Sequence, residues 1–252
     1  MDSKIKFCSG YGEKHSPKYS KHPEEFLRIT QDDIIKMAED PPDVPKEDAL
    51  WFIPSTLPSR VSVEQREHGN RYFLTFDKDK NPEIGFDEFF NRAKGVIPGA
   101  LIAYTTKGAT DKNHKARAIV PLPEPVSGEM GVILQTIFNN RMEADGVIPD
   151  RRMEVPNQIC YLPNKGEYYQ SLVDYFVEPF DPLTEWDEDI AKIQEQIEAK
   201  KEADKAQHAT SMLKAAQLVA SGTYNVMEAY KQSVSIPQAL EHYGYKRVGK
   251  KY

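Results

Sequence analysis

The sequence has very little cysteine. Of 252 residues only Cys8 and Cys160 are cysteines, too few for a disulfide scaffold or a Cys-only zinc site, and in keeping with a reducing cytosol. Long apolar runs are missing as well. No stretch approaches the roughly 18 uninterrupted apolar residues that a membrane-spanning helix needs. The first residues, MDSKIKFCSG, lack the apolar segment of a secretion signal, so a cytoplasmic protein without a membrane partner is expected. Nor is there a surplus of positive charge. The formal net charge is −6, and any nucleic-acid partner must be held by local basic patches. What is present is a polar globular composition, 39% hydrophobic and 29% charged, in a chain long enough for one large domain or two small ones.

The first 22 residues form a basic arm, with Lys4, Lys6, Lys14, Lys18 and Lys21 against Asp2 and Glu13, and loose order is expected there. ITQDDIIKMAE reads as a short helix with Thr30 as N-cap and acidic residues in its first turn. PPDVP then breaks the chain. From Trp51 to about Asp181 strands and helices alternate over short connections, the pattern of an α/β domain. RYFLTFD, ALIAYTT, ARAIVPL and NQICYLP are the strand candidates. FDEFFNRAKG is a helix closed by Gly95, and GEMGVILQTIFNNRMEA a longer one. Beyond Pro182 the character becomes helical. Ile190, Ile193 and Ile197 recur at helical spacing, followed by Met212, Leu213, Ala216 and Val219. Two shorter helices are expected around NVMEAYKQS and SIPQALEHYG, and the chain ends on the basic YKRVGKKY. The domain division expected is 1–182 and 183–252.

The most informative stretch is FLTFDKD. Residues two apart on a strand share a face, so Asp77 and Asp79 set their carboxylates side by side at the strand's end. Two like charges so close call for a cation, and an oxygen-only set selects a hard ion such as Mg²⁺ or Mn²⁺. Such an ion serves phosphoryl or nucleotidyl transfer. Asp77, Asp79, Asn81, Ile84 and Glu88 also fall on positions 1, 3, 5, 8 and 12 of an EF-hand loop. Against that reading, the sixth position, which must turn sharply, is Pro82, and a strand precedes the loop where an EF-hand has a helix. His15, His22, His68, His208 and His242 show no metal-ligand spacing.

Taken in order, FLTFDKD, LIAYTTKG, KARAIVPLPEPVS, GVIPD and PNQICYLPN resemble the primase-polymerase domain of the archaeo-eukaryotic primase superfamily, in the form found in phage and plasmid replication proteins. The match spans about residues 50 to 182. It implies an α+β core with an RRM-like mixed or antiparallel sheet flanked by helices, followed by an all-helical C-terminal unit. It also implies an enzyme, a DNA-directed nucleotidyltransferase that uses nucleoside triphosphates on a single-stranded DNA template. Asp77, Asp79 and Asp150 would hold two divalent ions, Mg²⁺ or Mn²⁺. Thr106, Lys107, His114, Lys115 and Arg117 are the candidates for the nucleotide's phosphates. In related proteins a helical segment leads into a helicase-linked region, so a helicase domain or partner is expected and the chain reads as the N-terminal part of a primase-helicase.

One position departs from the family pattern. The second motif usually carries Ser-x-His, whereas this chain reads Thr106-Lys107-Gly108-Ala109. Lys107, or His114 from the following loop, could replace the imidazole. The departure keeps an alternative open: a non-catalytic protein of the same fold that binds single-stranded or origin DNA. A metal-dependent nuclease using the same carboxylates is a third reading. Arg117 suits a cross-strand ion pair as well as it suits a phosphate, and Arg151 and Arg152 suit solvent or DNA. Trp51, Phe52 and Cys160 are expected to pack, the last as an inert buried thiol.

Overall fold

A computed structural model describes residues 4–12, 25–175 and 177–220. The chain divides into two compact units after Ile190. In the first unit, strands β1 (Phe7–Tyr11), β2 (Leu27–Ile29), β3 (Leu50–Phe52) and β7 (Cys160–Tyr161) form one sheet in the order β2-β1-β3-β7. Strands β4 (Asn70–Lys78), β5 (Leu101–Thr105), β6 (Ala116–Ser127) and β8 (Ser171–Asp174) form a second, ordered β4-β6-β5-β8. All six strand pairings are antiparallel. The helices are α1 (Gln31–Glu39), α2 (Ser62–Glu67), α3 (Phe86–Val96), α4 (Gly128–Ala144), α5 (Pro182–Glu185) and α6 (Asp187–Ala220). The architecture is mixed α and β.

The apolar core lies where the two sheets and α1 meet. Phe7 and Phe52 of the first sheet pack edge-on against Phe73 of β4, with ring centroids 4.9 and 5.7 Å apart, the geometry aromatic quadrupoles favour. Tyr104 of β5 is wholly buried, and its hydroxyl donates to the carbonyl of Tyr161 on β7 at 2.5 Å. Phe76 of β4 instead meets Phe89 of α3 and Phe138 of α4, at 5.8 and 5.6 Å. Phe138 in turn stacks on Trp186. β4 is therefore buried on both faces, which explains its nearly continuous apolar run.

The caps read from sequence are present at α1. The Thr30 hydroxyl accepts from the Asp33 N–H, and the Asp33 carboxylate accepts from the Thr30 N–H, a reciprocal capping box. Other expectations are corrected. The N-terminal stretch expected to be loose contains β1, which pairs with both β2 and β3. Gly95 lies inside α3, which ends at Val96. NQICYLP contributes only two paired residues, and they join β3 rather than β4 to β6. β6 continues through Pro123 and Pro125 to Ser127, which caps α4 by accepting from the Met130 N–H.

The second unit is described up to Ala220. Its part of α6 is polar, with Glu198–Lys201 and Glu202–Lys205 ion pairs along the helix. Met212 and Leu213 are exposed and Ala215 is buried, and the Val219 side chain lies outside the described residues. The helices expected around NVMEAYKQS and SIPQALEHYG, and the YKRVGKKY tail, lie outside the described residues.

Candidate active site

β4 lies at one end of its sheet, so alternate backbone groups along it point away from the ladder and need partners from elsewhere. Gln135 of α4 supplies two: its Nε2 donates to the Thr75 carbonyl at 2.7 Å and its Oε1 accepts from the Thr75 N–H at 3.0 Å. Two residues further on, the free carbonyl is that of Asp77. It accepts from the N–H of Asp150 at 3.0 Å. A sequence separation of more than seventy residues is closed in this way along the backbone, and the Asp150 charge acts on Asp77.

The return of the chain is built by the end of α4. Gly146 has φ +83°, its N–H bonds the Glu143 carbonyl, and the Val147 N–H bonds the Met142 carbonyl. That is a Schellman ending, with glycine in the left-handed conformation that a Cβ disfavours. A second tie comes from the loop after β4. Asn81, with φ +63°, accepts from the Ile148 N–H at 2.9 Å. Asn is among the few non-glycine residues that take this conformation readily. The strand-then-left-handed turn is not an EF-hand. Glu88, its twelfth position, bonds Arg92 instead.

Each carboxylate has its own cation. Asp77 faces Arg117 across the β4–β6 ladder, and Arg117 Nε and Nη2 both reach Asp77 Oδ2, at 2.8 and 2.6 Å. The other oxygen, Asp77 Oδ1, is buried and has no hydrogen-bond partner among the described residues. Burial pushes the Asp77 pKa up, the neighbouring Asp79 and Asp150 charges add to this, and Arg117 opposes it. The Asp77 charge in turn keeps Arg117 protonated despite its burial. Asp79 is half exposed and pairs with Lys115 at 3.4 Å. Asp150 caps a short 3-10 turn, Arg151–Glu154, and Arg152 grips it: Nε lies 3.1 and 2.9 Å from the two carboxylate oxygens and Nη2 2.7 Å from Oδ2. Burial raises the Asp150 pKa, but the Arg152 hydrogen bonds and charge outweigh it and the net direction is down.

The remaining residues surround this cluster unevenly. Lys107 Nζ bonds Asp43 at 2.6 Å and the Lys165 carbonyl at 3.0 Å. Thr106 holds the ends of the β5–β6 loop, its N–H bonding the Lys115 carbonyl and its carbonyl accepting from Ala109. His114 caps α3, with Nδ1 accepting from the Phe86 N–H at 3.0 Å, so that the neutral ring carries its proton on Nε2. Its ring stacks on Tyr168 at 4.3 Å, and its carbonyl accepts from the buried Lys78 Nζ.

Among the described residues no group of three or more His, Cys, Asp or Glu side chains forms a ready metal cluster. The donor chemistry nonetheless suits a hard divalent ion: three carboxylates, one of them presenting a buried oxygen with no donor opposite. Arg152 is the site residue that sequence reasoning undervalued. Its one signal was its place two residues after an Asp that opens a turn. The chain matches no family model, curated protein or solved structure.

Proposed function

We propose that this protein is a DNA primase-polymerase of the archaeo-eukaryotic primase type, serving phage or plasmid replication, that polymerises nucleoside triphosphates on a single-stranded DNA template. The observation that carries the reading is the meeting of Asp150 with Asp77, N–H to carbonyl at 3.0 Å, next to the orphaned Asp77 Oδ1. Asp77, Asp79 and Asp150 would hold Mg²⁺ or Mn²⁺, which supplies charge neutralisation and in-line alignment at the α-phosphate. Arg117 holds Asp77 in one orientation and offsets part of the cluster's negative charge before any ligand arrives. Lys115 stands at the rim, on the half-exposed Asp79, where a triphosphate would enter. Thr106 and His114 fix the ends of the β5–β6 loop that carries Lys107 and Lys115. A helicase domain or partner belongs to the same proposal.

The test is primer extension and de novo synthesis with Mn²⁺ or Mg²⁺, comparing wild type with Asp77→Asn/Asp79→Asn. Loss of synthesis in the double variant is expected, and equal synthesis by both proteins would refute the assignment.

A second reading is favoured by a specific set of contacts. Lys107 is engaged by Asp43, Arg117 by Asp77, and no histidine follows Thr106 in the second motif. A non-catalytic single-stranded-DNA or origin-binding protein would use the same scaffold without chemistry. It predicts salt-sensitive DNA binding with no nucleotide incorporation.

A further inference from the structure

The cations on the three carboxylates are of two kinds. Arg117 is fixed: it is inside the protein, bound twice to a buried oxygen, and its guanidinium lies 5.7 Å over the Tyr161 ring. The neighbouring Arg151, which is on none of the three, is also fixed, held by Asn140, Glu143 and Glu154. Arg152 is different. Its side chain is 73% exposed while the Asp150 carboxylate it covers is 19% exposed, and among the described residues its hydrogen bonds and ion pair all go to that carboxylate. An ion pair so open to water is weak and is readily exchanged.

Its geometry sets up a competition. Arg152 reaches both oxygens of Asp150, so a divalent ion and the guanidinium compete for this carboxylate. Once displaced, the guanidinium remains tethered two residues from Asp150, and the Asp77 and Asp79 charges also act on it. A planar fork with free donors, beside a metal, matches the oxygens of a nucleotide's β- and γ-phosphates. We infer that Arg152 is an exchangeable cation, seated on Asp150 without metal and transferred to the triphosphate when metal takes Asp150. This rests on the metal-site reading above and adds to it a linkage: metal on Asp150 favours Arg152 on the triphosphate, and the triphosphate on Arg152 favours metal on Asp150. Lys115 on Asp79, at 3.4 Å and partly exposed, would follow the same course.

The inference has a signature that a structural role lacks, because it demands effects of opposite sign. Mn²⁺ binding is read from the electron paramagnetic resonance of the free ion, and MgdATP binding by calorimetry, both without DNA. Arg152→Ala should tighten Mn²⁺ about twofold to fivefold, since it removes a weak competitor, and weaken MgdATP about tenfold, since it removes a charged hydrogen-bond donor. Arg152→Lys, which keeps the charge and loses the fork, should fall between on both scales. Unchanged or weakened Mn²⁺ binding in Arg152→Ala, or unchanged MgdATP affinity, overturns the exchange while leaving the metal site standing. Failure of the wild-type protein to bind Mn²⁺ removes the site and the exchange together.

Discussion

Arg117 and Asp77 stand opposite each other in the β4–β6 ladder, and two guanidinium nitrogens converge on a single carboxylate oxygen, Oδ2. The other oxygen, Oδ1, has no hydrogen-bond partner among the described residues. Removing one member of a buried pair costs more than the pair contributes, because the survivor keeps its desolvation penalty. Arg117→Ala should therefore destabilise the protein by about 3–5 kcal/mol at neutral pH. Asp77 has a folded-state pKa above its ordinary value, so its ionisation works against folding. Stability linked to it is complete below the unfolded pKa and is lost as pH rises through the folded one. In Arg117→Ala, with the opposing charge gone, the deficit should shrink as pH falls and Asp77 takes up its proton. Urea unfolding at pH 5 and pH 8 measures this, and a deficit independent of pH would count against the pair.

The edge of β4 gives a second prediction. Gln135 serves the Thr75 N–H, the Thr75 carbonyl and Arg71 Nη2 at once. Arg71 is buried with neutral oxygen acceptors, and desolvation brings its pKa down to about 10. Gln135→Ala strips all three partners and should cost about 3 kcal/mol. Gln135→Glu gives Arg71 a counter-charge but cannot donate to the Thr75 carbonyl, so its cost should be smaller. Denaturant midpoints of the two variants, compared at constant slope, decide the order.

How far the sequence revealed this arrangement depends on the range of the interactions. α1, α4 and β5 were legible because caps and periodicity are local signals: Thr30 and Asp33 are three residues apart, as are Ser127 and Met130. β1 was not, because its partners lie at Leu27–Ile29 and Leu50–Phe52 and are only three residues long. Gly95 misled because a Cβ there would meet nothing within 4 Å. A glycine on an open helix face is tolerated without ending the helix. Asp77 and Asp79 stood out through strand alternation, but which of the two is buried did not. Asp150 entered by resemblance only. The bond that brings it in is backbone to backbone, set by β4 being an edge strand, and no side-chain pattern encodes that.

The buried acids of the core predict an alkaline limit. Burial pushes the Cys8 thiol up to about 12, the Cys160 thiol to about 11 and the Tyr169 hydroxyl to about 12. All three shifts are upward, so the stability they carry is intact below the ordinary thiol value and is lost as pH rises through about 11–12. Unfolding followed by circular dichroism should begin in that window. Because the thiolate is the reactive form, neither cysteine should react with a thiol reagent at pH 8 until denaturant is added. Rapid labelling of the folded protein would show that these thiols are accessible.

Asn81 separates the placement of Asp150 from overall stability. Its left-handed backbone turns the chain after β4, and its side chain ties Ile148, two residues before Asp150. Asn81→Gly keeps the turn and loses the tie, whereas Asn81→Ala loses the tie and adds about 1–2 kcal/mol of left-handed strain. Thermal stability should therefore fall clearly in the alanine variant and little in the glycine variant. Mn²⁺ affinity should fall by a similar factor in both, because the same anchor of the Asp150 segment is gone. If affinity instead follows stability, with Asn81→Gly binding like wild type, then the Asp77 carbonyl alone holds Asp150 in place and the Asn81 tie contributes only to the turn.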